Sequence, residues 1–448
     1  MKPSARPPFA YVFERFPSFT QTFCAREVRE LERLGVAPLL FSIHDTTGDV
    51  LRENLGRWAD KVITLPQGAD LVAEVSRMKT NGLLSQQAVL TLRHWGDKPD
   101  KRRVYEAIWI SRCLQGTGVR HVHSHFAGIG ARTCWWLRRF HGVTYSFTGH
   151  ANDIFCDDPF EVSREKLMND ASVVITVSDF TRDYLREHYP KARVRRVYNG
   201  LDLAPVSEAV AGAGPPADPP RILSVGRLIE KKGFADLIAA CAVLRDRDIP
   251  FQCKIIGEGP LESDLRARIA AARLDGRITL AGPLPFPEIA RRLATSSVFA
   301  LACVVESDGG MDNLPTVIME AMAACLPCVS TRLAGVPEMV AHGETGLLAE
   351  PGDVPALADA LASLLQSPEK RRAFGKAGLE RVRRLFAKEV TARELRRELI
   401  AGGLVHPRFS WLRDDRRLAP AIAAQVIRRA ALALRLGTPK PRRFPASP

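Results

Sequence analysis

Three groups of residues in this sequence have types and spacings that could do chemistry. In SVGRLIEKKG, residues 224–233, an apolar run ends at Val225 and Gly226 permits a tight turn. Arg227 and Lys232 follow, ahead of a helix expected to start near Gly233. Arg offers phosphate a planar fork and Lys a compact point charge, so the pair could neutralise a diphosphate at the carboxyl end of a strand. In MDNLPTVIMEAMA, residues 311–323, Asp312 precedes an expected helix whose first position suits Pro315, and Glu320 lies within it. The free N–H groups and the dipole at that helix start attract phosphate. The two carboxylates could accept hydrogen bonds from hydroxyls at either end of such a ligand, which makes ribose and sugar natural partners. In SFTGHANDIF, residues 146–155, His150 directly follows an apolar run, with Asp153 three residues on, and should point at the same cleft. Each group also has a plainer reading: solvated charges, a capping acid beside a solvated helix acid, and a structural histidine.

Three other signals point less far. HVHSH sets His121, His123 and His125 on one face of a strand, a metal-like spacing, but no carboxylate or Cys lies nearby in sequence. CLPC, with Cys325 and Cys328, falls between a helix end and an apolar run and is expected to be two packed thiols. DRD, residues 246–248, lies in an expected turn and reads as solvated.

The elements that would hold these groups alternate regularly. FAYVFERF and APLLFSIH read as strands around a helix in SFTQTFCAREVRELERLG, with Gly35 at its stop. VRHVHSHF, VTYSFTGH and ASVVITVS continue the pattern. Residues 204–220, rich in Ala, Gly and Pro, interrupt it as a linker would. It restarts with RILSVGRL, FQCKIIGEG, RITLAG, SSVFALAC and PCVSTR. Short apolar runs alternating with helical segments imply parallel sheets with crossover helices. Two α/β domains are therefore expected, over 1–203 and 221–390, with the ligand in the cleft between the carboxyl ends of their strands.

At 448 residues and 46% hydrophobic, the chain can bury more than one core. It has no uncharged apolar run of membrane-spanning length, and its start reads as a strand rather than a secretory signal. Nine cysteines without framework spacing suit a reducing, cytoplasmic compartment. Of the formal charge of +14, residues 403–448 carry ten Lys/Arg against two Asp, a net of +8. Within this tail Leu418, Ile422, Val426, Leu432 and Leu436 recur at loose helical spacing among Arg428, Arg429 and Arg435. A helix lying on an anionic membrane surface is expected there, set against one packed on the protein body. No nucleic-acid motif accompanies the charge, and no G-x-G-x-x-G opens the first strand–helix unit, which argues against nucleic-acid binders and NAD-dependent oxidoreductases.

SVGRLIEKKGFADLIAA, IIGEGP, DNLPTVIMEAMA and GVPEMV, in that order, resemble the carboxyl-terminal domain of retaining glycosyltransferases of family four, with the GT-B fold. YVFERFPSFTQTFCAREVRELERLG, VHSHFA, FTGHANDIF and YNGLD resemble its exopolysaccharide, colanic-acid branch. The resemblance implies two Rossmann-like domains facing across a cleft and a final helix over 391–402 returning to the first. It implies that Arg227 and Lys232, beside Gly226 and Gly257, bind the donor diphosphate. Glu320 would hold the ribose, Asp312 the sugar hydroxyls, and Asn313 and Leu314 would meet the sugar through their backbone. His150 would sit beside the transferring sugar. Asp312 stands where the family usually has Glu, Asn313 where it has Gly, and Cys325 replaces the usual Gly after the helix. The implied activity is retaining, metal-independent transfer of a hexose from a UDP- or GDP-sugar to a lipid-linked saccharide, without a cofactor, on the cytoplasmic side of the membrane. A non-catalytic nucleotide-sugar-binding subunit is the alternative.

Overall fold

The computed structural model describes residues 9–401, apart from residues 19–20, 47–57, 59, 96–97, 99, 157 and 215–217; the helix expected in the basic tail lies outside the described residues. Strands β1 (Ala10–Arg15), β2 (Leu39–His44), β3 (Val62–Thr64), β4 (His121–His125), β5 (Thr144–Gly149), β6 (Val173–Thr176) and β7 (Val194–Arg196) form one sheet in the order β3-β2-β1-β4-β5-β6-β7. Strands β8 (Arg221–Val225), β9 (Gln252–Ile256), β10 (Ile278–Leu280), β11 (Val298–Leu301), β12 (Cys328–Thr331) and β13 (Gly346–Ala349) form a second in the order β10-β9-β8-β11-β12-β13. Every pairing is parallel. Helices cover both faces of such sheets, so central strands can be buried throughout, as β11 and β12 are.

The strand order reverses beside the first strand of each sheet: β1 lies between β2 and β4, and β8 between β9 and β11. Loops leaving the two middle strands diverge at such a point and open a crevice at the carboxyl ends. The three chemical groups of the sequence leave from these ends: residues 226–232 after β8, 312–314 after β11, and His150 after β5.

The expected linker is only partly one. Ala204–Ala211 is a helix with Pro205 in its first turn, and its buried Val206 joins the core of the second sheet. An Ala-rich segment opened by Pro is a good helix former, so the Pro/Gly signal marks only the residues beyond that helix. The last helix, Lys388–Ala401, starts three residues before its expected position. Its Leu395 and Leu399 are 1% exposed and share a core with Phe9, Tyr11, Val28 and Leu31 of the first domain. Burying two leucines contributes about 3–6 kcal/mol, which holds the helix there. Salt bridges Arg196–Glu394 at 3.3 Å and Arg195–Glu398 at 3.6 Å flank it. The two crossings of the chain between the sheets run side by side: Leu201 N–H donates to Phe386 O (2.7 Å) and Lys388 N–H to Leu201 O (2.9 Å).

Candidate active site between the two sheets

On the side of the second sheet, the loops after β8 and β9 are pressed together. Gly226 N–H donates to Ile256 O at 3.0 Å and Leu228 N–H to Glu258 O at 2.8 Å. A Cβ on Gly257 (φ +144°) would lie 1.9 Å from Gly226 O, so only glycine allows this approach. At Gly233 (φ +62°) a Cβ would lie 1.6 Å from Ala302 O. Arg227 and Lys232, both on this loop, differ in state. Arg227 is exposed, with no ion pair among the described residues, whereas Lys232 is ion-paired to Asp312, each side chain 15% exposed. Sequence reasoning put Lys232 on a phosphate and Asp312 on a sugar; the structure joins them directly, so a ligand reaching either must share it with the other.

The helix Thr316–Ala323 has no side-chain cap, which leaves its N-terminus open to an anion. Pro315 is the capping residue (φ −66°, ψ 106°) rather than the first helical one, a shift of one position from expectation. The side chain of Glu320, half-buried within this helix, makes no hydrogen bond among the described residues, while its backbone carbonyl accepts from Ala324 N–H at 3.1 Å. Burial raises its pKa, and Arg26 of the opposite domain pulls the other way. Burial in turn lowers the pKa of Arg26, opposed by Glu320 and Asp202. Leu314 is 7% exposed and belongs to the second core. Asn313 is 3% exposed and spans the cleft: Ser178 Oγ donates to its Oδ1, and its Nδ2 donates to His150 O, both at 2.6 Å. Its own carbonyl accepts from Gly335 N–H at 2.9 Å. The backbone role that the resemblance implied for Asn313 is thus joined by a side-chain clasp, which also sets His150 within one residue of Asp312.

On the other side, Asp153 pins the turn after β5 by accepting backbone N–H bonds from Ala127 (2.8 Å), His150 (3.0 Å) and Ala151 (2.9 Å). Burial raises its pKa, opposed by these N–H groups. The His150 ring lies against Phe126 (4.5 Å between centroids) and Phe23 (4.8 Å). Phe126 adopts φ +67°, a conformation that bulky residues avoid and that clusters at functional sites. His150 Nε2 lies 3.2 Å from His125 Nδ1, and His125 Nε2 lies 3.0 Å from Glu27 Oε1, which also accepts from the Tyr11 hydroxyl. Burial and the neighbouring His125 hold the pKa of His150 well below its ordinary value. At His125 burial acts in the same sense, but Cys24 and Glu27 outweigh it and hold the pKa well above. Burial in turn raises the pKa of the Cys24 thiol, opposed by His125.

The histidine-rich strand is a hydrogen-bonded ladder against β5. His121 bonds Thr144 and Ser146 at 2.8 and 2.7 Å; His123 bonds Ser146 and Thr148 at 2.7 and 3.1 Å. Glu27 does bring a carboxylate to His123 and His125, one atom of each within 4.8 Å of the others. Both nitrogens of both rings, however, already have partners of matching polarity. Of the CLPC pair only Cys328 is packed; Cys325 is exposed and takes φ +58°, where the family's Gly would sit without strain.

Several residues facing the cleft went unrecognised in the sequence. Glu338 of GVPEMV accepts from the N–H groups of Asp179 (2.8 Å) and Phe180 (2.9 Å), at the start of a helix on the opposite domain, and from the Tyr198 hydroxyl (3.0 Å). Lys231 reaches Asn152 Oδ1 at 3.2 Å. Each contact joins residues tens to well over a hundred positions apart, which no local pattern signals.

Two parallel α/β sheets, each with its switch point opening on a shared cleft and a last helix crossing back, define the GT-B class. Residues 20–205 match the family described as Glycosyltransferase Family 4, and residues 207–381 match Glycosyl transferases group 1. The chain belongs to this family of glycosyltransferases. It is 32% identical over 258 residues to a putative colanic acid biosynthesis glycosyltransferase of Escherichia coli, covering 57% of this chain and 62% of that protein. It is 43% identical over 148 residues to an amylovoran biosynthesis glycosyltransferase of Erwinia amylovora, covering 33% and 36%. The chain thus matches less than two thirds of the length of these relatives. Anabaena HepE in complex with UDP has the same fold, with TM-score 0.61 and 16% identity over 88% of this chain and 99% of that one. Among the described residues no helix is long and apolar enough to cross a membrane.

Proposed function

We propose that the protein transfers a hexose, with retention, from a nucleoside-diphosphate sugar to a lipid-linked saccharide during assembly of a surface polysaccharide. The observation that carries this reading is the convergence of Arg227, the Lys232–Asp312 pair, the uncapped helix at Pro315 and Glu320 at one switch point, directly across from His150. The diphosphate would lie between Arg227, Lys232 and the helix N-terminus, with the ribose on Glu320 and the sugar between Asp312 and His150. The similarity to exopolysaccharide glycosyltransferases supports this choice of acceptor class. Its membrane setting also suits the basic tail.

As the glycosidic bond breaks, the sugar gains oxocarbenium character and negative charge builds on the departing diphosphate. Arg227, Lys232 and the helix N-terminus would stabilise that charge more strongly than the intact donor, which is how the rate would rise. In this scheme they take the place of a divalent cation. The test is a panel of UDP- and GDP-hexoses, first for ligand-induced shift in melting temperature and then for release of the free nucleotide with a lipid-linked saccharide. A donor that stabilises the protein but never turns over with any acceptor would favour the non-catalytic binding subunit. Activity lost to a chelator and restored by a divalent ion would remove the metal-independent scheme.

A further inference from the structure

We propose that Glu27 and His125 are positioning residues that fix His150 as a hydrogen-bond donor, with its proton on Nδ1, toward the transferring sugar. The sugar as recipient rests on the donor-site reading above; the proton position rests on the hydrogen bonds alone. A carboxylate can only accept, so the 3.0 Å contact with Glu27 requires the proton of His125 Nε2. The Tyr11 hydroxyl donates to the same carboxylate oxygen and holds it in place. One of the two nitrogens in the 3.2 Å contact between His125 and His150 must then donate. Positive charge is favoured on His125, whose 1%-exposed side chain lies 3.0 Å from the Glu27 carboxylate, and disfavoured on His150, whose ring lies between Phe23 and Phe126. His125 therefore carries both protons and donates from Nδ1. His150 stays neutral, accepts at Nε2 and keeps its own proton on Nδ1. Among the described residues that Nδ1 has no hydrogen-bond partner. The result is a polarised chain in which His150 offers an N–H to a hydroxyl oxygen and cannot act as a base at that atom.

Glu27→Gln tests this without emptying the site. The neutral amide removes the charge from His125, which then keeps one proton, on Nε2, for the amide oxygen. Its Nδ1 becomes an acceptor, and His150 must donate from Nε2. Ring ¹⁵N chemical shifts of the full-length, ligand-free protein are expected to show His150 protonated on Nδ1 in the parent and on Nε2 in Glu27→Gln. With the nucleotide-sugar that proves active, kcat should fall about tenfold, as for one lost hydrogen bond, and KM for the donor should stay within about twofold. Adding His125→Asn, whose amide N–H can replace that of Nδ1, should return the proton of His150 to Nδ1 and recover most of kcat. A parent signal with the proton on Nε2, or a Glu27→Gln signal unchanged from the parent, overturns the proposal. Absence of turnover in the parent would instead count against the transferase reading and leave the ¹⁵N result to decide this one.

Discussion

Arg227 and Lys232 face the same proposed diphosphate but stand differently in the ligand-free protein, and their alanine variants should separate accordingly. Arg227 is exposed and has no ion-pair partner among the described residues, so Arg227→Ala should leave the unfolding free energy unchanged. It would remove a charge-assisted contact to phosphate of about 1.5–3 kcal/mol. At tenfold per 1.4 kcal/mol, affinity for the nucleoside diphosphate should fall about 10- to 150-fold. Lys232 is paired with Asp312 at 15% exposure on both sides. Lys232→Ala should weaken the nucleotide at least as much, because the phosphate then meets an uncompensated carboxylate. It should also cost stability, about 1–3 kcal/mol for a half-buried acid left without its partner, more than an exposed pair is worth. Adding Asp312→Ala should restore the stability but not the affinity. Calorimetric titration with UDP and GDP, beside urea unfolding of each variant, reads both quantities. If Arg227→Ala binds both nucleotides within about twofold of the parent, the diphosphate lies elsewhere.

Asn313→Gly, which installs the family's usual residue, deletes two cross-cleft hydrogen bonds and should loosen the domains by about 2–4 kcal/mol; faster amide exchange at residues 150–154 and 178–181 is the expected readout. His121 gives a pH prediction. Burial lowers its pKa to about 3, so between that value and about 6.5 only the unfolded state binds its proton, and stability falls as pH drops through this window. From pH 7 to pH 4.5 the parent should therefore lose about 2–3 kcal/mol more than His121→Gln in chemical unfolding. Cys325→Gly should stabilise the fold by about 1 kcal/mol, since it relieves a non-glycine residue at φ +58°; an unchanged urea midpoint would refute that account. The full chain should sediment with anionic vesicles at low salt and release at high salt, while a chain ending at Gly403 stays in solution yet still binds nucleotide-sugar.

Legibility in the sequence tracks the physics of burial. Interior strands are covered on both faces and carry mostly apolar residues or short polar ones, as in β6 (VVIT) and β11 (VFAL). The strands that went unread, β3, β7 and β13, are three or four residues long and lie at sheet edges, where β7 can read VRR. The Arg227, Lys232, Asp312 and Glu320 set could be read because each residue stands in a short motif at a strand or helix end. Glu27 could not, although HVHSH was noticed: its partner His125 lies 98 positions away, on another element. Glu338 was hidden for the same reason, 159 positions from the backbone it caps. The helix in the supposed linker was missed because Pro and Ala mark both helix starts and loops, and only the packing of Val206 distinguishes them.

The returning helix Lys388–Ala401 bears on how the chain is made and recombined. The first domain closes its core with Leu395 and Leu399, residues synthesised after the whole of the second domain. At about 5–20 residues per second, a ribosome needs about 10–40 s to pass from residue 203 to residue 400. Throughout that interval the seam formed by Phe9, Tyr11, Val28 and Leu31 lacks its cover. The nascent amino-terminal half is thus a natural client for chaperones, however complete its seven-stranded sheet. For the same reason a chimaera exchanging nucleotide-sugar domains between family members must break the chain twice, near residue 203 and again near 387, and leave the last helix with its original first domain.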